Sequence, residues 1–219
     1  MREALLELEY VPCAADLTRF LHLAPGSEEE ADFLALLEKA AAAAKPRAAC
    51  RAAVVEEAGE GIAAAGMRLG SGLPTDRLKA GNEVYVFVAT CGKELEAAAE
   101  ELEALERFWF DAIMREALMA AEAEARKTVA LCCDHTHFAT IGPGNLPGWP
   151  IEGQEELFAF MAKEAEWCGI RLDKNYVMHP QKSTSGLFFP VNENWRKCTL
   201  CARRDCRERT EAYGSDGFI

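Results

Sequence analysis

Gly142-Pro143-Gly144-Asn145-Leu146-Pro147-Gly148-Trp149-Pro150 is the stretch on which the fold turns. Six of its nine residues are glycine or proline, which punctuate a chain and preset its turns. Glycine also lets bare backbone N–H and C=O groups approach a ligand without a Cβ in the way. Beyond it, Leu157, Phe158, Phe160, Met161, Ala165 and Cys168 are spaced for one helix over 151–168. Gly169 is a helix stop. Tyr176 to Met178 and Ser183 to Phe189 then read as two short strands around Pro180, with Ser183, Thr184 and Ser185 placing hydroxyls beside Lys182. The pattern is a rigid loop, a helix and a strand pair.

Working back toward the N-terminus, Glu83 to Thr90 is a nearly continuous run of β-branched and aromatic residues. It predicts a strand buried on both faces. Ala48 to Glu56 predicts a second strand, and Ile62 to Leu69 a third between glycines. Residues 93–126 predict a long helix with a break near Arg107 to Phe110. Thr128 to Cys133 reads as another strand, and 134–150 as loop. Ser27 with Glu30 has capping-box spacing and opens a helix that runs into the alanines before Pro46. Residues 1–26 read as short helical pieces, and Pro74 to Leu78 as the start of a short helix. The expected class is α+β: a mixed or antiparallel twisted sheet with flanking helices. The expected organisation is a helical or cap region over 1–60, a core over 61–191 and a cysteine-rich tail over 192–219.

The 219 residues carry 24 basic and 36 acidic side chains, a net charge of −12. That balance argues against a phosphate-backbone binder and against an anionic membrane surface. No apolar run reaches the roughly 18–20 residues that span a bilayer. The first eleven residues include Arg2, Glu3, Glu7 and Glu9, unlike a secretory leader. The expected compartment is the cytoplasm. No GxGxxG or GxxxxGK[ST] occurs, so neither a dinucleotide fold nor a P-loop is indicated.

The order Pro143-Gly144, helix, Gly169-Ile170-Arg171-Leu172, Met178-His179-Pro180, Ser183-Thr184-Ser185-Gly186 resembles the activation domain of cobalamin-dependent methionine synthase. It is most similar to free-standing versions that end in Cys-x-x-Cys-x4-Cys followed by arginine, as Cys198, Cys201, Cys206 and Arg207 do here. The resemblance covers residues 83–209 and fades over 1–60. It implies an S-adenosylmethionine-binding accessory protein. Such a protein supports the reductive methylation of cobalamin held by a corrinoid methyltransferase, with electrons from a donor protein. It also implies site residues: Thr140, Pro143, Gly144 and Asn145 in the loop, Met178, Ser183 and Ser185 in the strand pair, and Glu124 on the helix, with Glu122 as its alternative. Two positions depart from the pattern. The family has an arginine where this chain has Thr140, and a tyrosine where it has Asn145. That arginine would pair with the ligand carboxylate, and the two departures leave open the alternative of an iron–sulfur or zinc-binding redox accessory or scaffold protein of corrinoid metabolism that has lost adenosylmethionine binding.

Nine cysteines, an odd number, suit a reducing compartment better than a disulfide frame. The spacing of Cys198, Cys201 and Cys206 can chelate one ion, as structural zinc or as part of an iron–sulfur cluster. The alternative is reduced thiols on a tail. Cys132, Cys133, His135, His137 and His179 are candidates for a fourth ligand.

Overall fold

The computed structural model describes residues 3–58, 61–69, 78–133, 135, 137–145, 149–191 and 198. Nine strands and six α-helices occur among them: β1 (Glu3–Glu7), α1 (Ala14–Phe20), α2 (Glu28–Ala43), β2 (Arg47–Ala58), β3 (Gly61–Ala64), β4 (Met67–Leu69), β5 (Glu83–Thr90), α3 (Lys93–Ala99), α4 (Ala104–Leu131), β6 (Phe138–Ile141), α5 (Gln154–Phe160), α6 (Ala162–Cys168), β7 (Arg171–Leu172), β8 (Met178–His179) and β9 (Ser183–Pro190). Seven strands form one antiparallel sheet in the order β4-β3-β2-β5-β9-β6, with β1 also paired to β2. The short β7–β8 pair stands apart. This is the α+β class that the sequence indicates.

The long β2 explains how the sheet curls. Its first half pairs with β1 (Glu3↔Arg51) and its last residues with β3 (Val55↔Ala64), both on one edge. Its other edge lies along β5 from Arg47↔Thr90 to Val54↔Glu83. In β5 every residue after Glu83 is buried, because both faces of the sheet are covered. On one face Val86, Val88, Ala139, Ile141, Leu187 and Phe189 meet Trp149, Leu157, Met161 and Cys168 from the α5–α6 layer. On the other, Phe87, Phe138 and Phe188 meet α4. Phe87 and Phe188 stack there, centroids 4.0 Å apart and planes 8° apart.

α4 lies close on the sheet because the residues it turns inward are small. Ala117, Ala121, Ala125 and Val129 recur every fourth position and are all fully buried. Farther along, α4 uses Trp109, Phe110 and Ile113 to pack on Phe33, Leu36 and Leu37 of α2. Phe33 and Trp109 meet edge to face at 6.0 Å. Ser27 caps α2 as its spacing predicts, its Oγ accepting from the Glu30 N–H at 3.1 Å.

Several local readings need correction. Leu5 and Leu6 lie in a strand, β1, because pairing with β2 satisfies their backbone better than an isolated helical turn would. The helix break falls at residues 100–103, not at 107–110. Glu103 and Glu106 form a capping box there, and α4 starts afresh. Thr128 and Val129 are helical: Val129 continues the inward stripe of α4, and tertiary packing overrides β-propensity. Phe138–Ile141, expected as loop, is the edge strand β6. The helix of 151–168 is a 3₁₀ turn (Ile151–Gly153) followed by α5 and α6, which part at Met161. The proposed short helix from Pro74 begins outside the described residues.

Candidate functional site

The Gly-Pro-Gly segment leaves β6 as a tight turn. The Asn145 N–H donates to the Gly142 carbonyl at 3.0 Å, and Gly144 has φ +79°. Proline followed by a residue of positive φ is the type II arrangement, which favours glycine at that position. The turn is locked further by the Gly144 N–H donating to the Trp149 carbonyl at 2.7 Å. Trp149 is buried and packs in the α5–α6 core.

Two other glycines bring the loop onto the sheet. A Cβ on Gly142 would sit 2.6 Å from the Ser185 carbonyl oxygen, and one on Gly186 would overlap the Ile141 carbonyl oxygen. The backbones of β6 and β9 touch here, with no room for a side chain between them. Pro143 is buried, while Gly144 and Asn145 are exposed beside this contact.

Alternation along the strands divides the expected residues between the two faces of the sheet. Thr140 points with Phe138 and Phe188 toward α4. Ser183 and Ser185 point with Leu187 and Phe189 toward the α5–α6 layer, where Met178 also packs. Ser183 is engaged in holding the strand start. Its Oγ lies 2.9 Å from Thr90 Oγ1 and 2.7 Å from the Pro180 carbonyl oxygen. Asp173 shapes the β7–β8 turn. N–H groups of Val177 and Asn175 hold its carboxyl below the usual carboxylate range, with His179 at 3.3 Å.

On the α4 side a charged cluster forms that the loop motif alone does not reveal. Arg126 Nη2 donates to Thr140 Oγ1 at 2.9 Å and pairs with Glu122 Oε1 at 2.5 Å. Its guanidinium stands over the Phe188 ring, 5.6 Å from the centroid. Its Nε–H is shielded from solvent and has no acceptor among the described residues. Shielded N–H groups in folded proteins are nearly always paired, so an acceptor brought to this guanidinium would satisfy it. Glu122 and Arg126 flank the inward alanines on the side toward β6. Glu124 is two residues on, about 200° around the helix, and instead pairs with Lys127 at 3.2 Å. Of the two glutamates, Glu122 stands at Thr140. Just before β9 begins, Lys182 Nζ meets Asp111 of α4 at 2.7 Å, a second tie between α4 and this part of the sheet.

The metal-ligand readings find no assembled site among the described residues: no three of histidine, cysteine, aspartate and glutamate gather as a ligand group there. His135 lies edge-on to Phe138, and Cys133 Sγ donates to the Tyr85 hydroxyl at 2.9 Å. Cys198 is half-buried, while Cys201 and Cys206 lie outside the described residues. None of the described helices is long and apolar enough to cross a membrane.

No family model matches this chain, and no curated protein matches it. Among solved structures it is similar to the crystal structure of the MetH reactivation domain bound to AdoHcy. The TM-score is 0.57 at 14% sequence identity, over 89% of this chain and 81% of that one. At that identity the likeness is one of fold. The curled antiparallel sheet with flanking helices is therefore the reactivation-domain architecture.

Proposed function

We propose that this chain binds S-adenosylmethionine and serves as an accessory protein for reductive activation of a corrinoid methyltransferase. The observation that carries the reading is the junction of β6, β9 and α4. There a type II Pro143-Gly144 turn lies beside Thr140, Glu122 and an Arg126 whose Nε–H has no acceptor among the described residues. Support comes also from the order of motifs along the chain and from the fold shared with a domain that binds AdoHcy. Bound there, the sulfonium would supply its methyl group to a reduced corrinoid held by the partner. The chain's own residues would orient the donor and exclude water; no nucleophile–base pair is needed. The proposed surroundings are cytoplasmic, with a corrinoid protein and an electron donor as partners. The spacing of Cys198, Cys201 and Cys206 supports zinc or an iron–sulfur cluster in the tail.

The test is calorimetry with adenosylmethionine and with S-adenosylhomocysteine on protein purified without oxygen, with metal content measured on the same sample. Micromolar binding of either is the expected result. Absence of binding by both refutes the ligand assignment. Neither iron nor zinc at stoichiometric level refutes the tail assignment separately.

A further inference from the structure

We infer that Arg126 and Glu122 of α4, with Thr140, form a receptor for the zwitterionic amino-acid end of the ligand. Arg126 and the threonine hydroxyl take the carboxylate, and Glu122 takes the ammonium. The inference rests on the nucleoside-binding reading above and adds which residues choose the ligand's amino-acid moiety.

A guanidinium alone would attract any anion. Here Glu122 Oε1 lies 2.5 Å from Arg126, so the pair is neutral overall, in a chain of net charge −12. A simple anion such as sulfate gains little at a neutralised arginine. A ligand carrying a carboxylate and an ammonium on one carbon matches both members of the pair. The Arg126 side chain is 42% exposed, so a ligand can reach the guanidinium from solvent, and its shielded Nε–H has no acceptor among the described residues. Its plane is steadied by Phe188 and by Thr140. An arginine fork held in this way suits a carboxylate better than a lysine would.

In the resembled pattern an arginine stands where this chain has Thr140. The guanidinium of Arg126 reaches that position from the facing helix, 2.9 Å from the threonine hydroxyl. The charge is supplied from fourteen residues earlier in the chain, and a small hydroxyl on β6 leaves the space it needs. Neither Thr140 nor Arg126 has this meaning alone; β6 and α4 must pack on the same face of β9.

Two nucleoside probes separate the parts. S-adenosylhomocysteine carries the amino-acid end, and 5′-methylthioadenosine lacks it. Calorimetry on the full chain is expected to show at least a tenfold weaker S-adenosylhomocysteine affinity in Arg126→Gln, with methylthioadenosine affinity unchanged. Arg126→Lys keeps the charge and should also weaken S-adenosylhomocysteine, because it loses the fork. The double variant Arg126→Gln with Thr140→Arg returns a guanidinium to the strand and should recover most of the loss. Circular dichroism and melting curves confirm that each variant is folded. If Arg126→Gln and Arg126→Lys are folded and both bind S-adenosylhomocysteine like the wild type, this inference falls and the function reading stands. If the wild type binds neither nucleoside, the function reading falls, and this inference with it.

Discussion

Replacing Gly186 by alanine should destabilise this protein, and the sign of the effect is the informative part. Gly186 lies in β9 without a positive φ, so alanine meets no backbone strain of its own. In an ordinary strand, alanine would be favoured over glycine by roughly 0.5–1 kcal/mol, because it loses less conformational entropy on folding. Here its Cβ would overlap the Ile141 carbonyl oxygen, lie 3.1 Å from the carbonyl carbon and 3.2 Å from Phe87 Cε1. The first two are backbone atoms of β6, and Phe87 is held in a stack with Phe188, so none is the free end of a flexible side chain. Overpacking of this kind costs about 1–3 kcal/mol, and a backbone obstacle belongs at the upper end. About 3 kcal/mol in a protein of this size lowers Tm by about 6–12 °C. Thermal melts followed by circular dichroism measure it. The relief available is movement of β6 away from β9, which carries Thr140 off Arg126. Weaker S-adenosylhomocysteine binding should therefore accompany the lower Tm. A Gly186→Ala protein that melts at or above the wild-type temperature would refute the close approach of β6 and β9.

Gly144→Val should weaken S-adenosylhomocysteine binding: the residue has φ +79° and its Cβ would press on Ile151 Cδ1 at 3.0 Å, so the turn must deform. Unchanged affinity by calorimetry would remove the Pro143-Gly144 turn from the site. Ser27→Ala should cost about 1 kcal/mol, or about 2–4 °C in Tm, through loss of the cap on α2; no shift would show that the cap is energetically silent. Burial pushes the Cys50, Cys91 and Cys168 thiols up to about 12. Thiols in the unfolded chain ionise near about pH 8.5, so the folded values are the higher ones. The stabilisation is therefore whole below about pH 8.5 and declines as pH rises toward the folded values, at up to about 1.4 kcal/mol per pH unit for each thiol. Tyr10, raised first by burial and then by Glu116, adds to the loss above its ordinary range. The urea midpoint should fall between pH 7.5 and 10 under reducing conditions, and a midpoint that holds or rises contradicts the burial. A thiol reagent at neutral pH should label the exposed Cys13 and Cys132 quickly, and Cys50, Cys91 and Cys168 only after denaturation; rapid labelling of any of those three in the native protein would contradict the core.

What the sequence determined by itself is local and periodic. The apolar run of β5 demanded a strand covered on both sides. Ser27 and Glu30 opened α2. The glycines and prolines after Ile141 set a tight turn, and the order of motifs indicated the fold that the chain shares with a reactivation domain. These features depend on neighbours within a few residues, or on a pattern long enough to read. Tertiary structure decided the rest. Thr128 and Val129 look like strand residues until packing on the sheet makes Val129 one more inward position of α4. Phe138–Ile141 is short and sits among turn signals, and becomes a strand only because β9 offers it an edge. Glu122 and Glu124 cannot be told apart by spacing. The small residues of α4 settle its roll on the sheet, and that roll turns Glu122 and Arg126 to Thr140 while sending Glu124 to Lys127. An i,i+4 glutamate–arginine pair is visible in any helical sequence. Its meaning as half of a site depends on which strand lies opposite, and only the long-range packing of α4 against β6 and β9 supplies that.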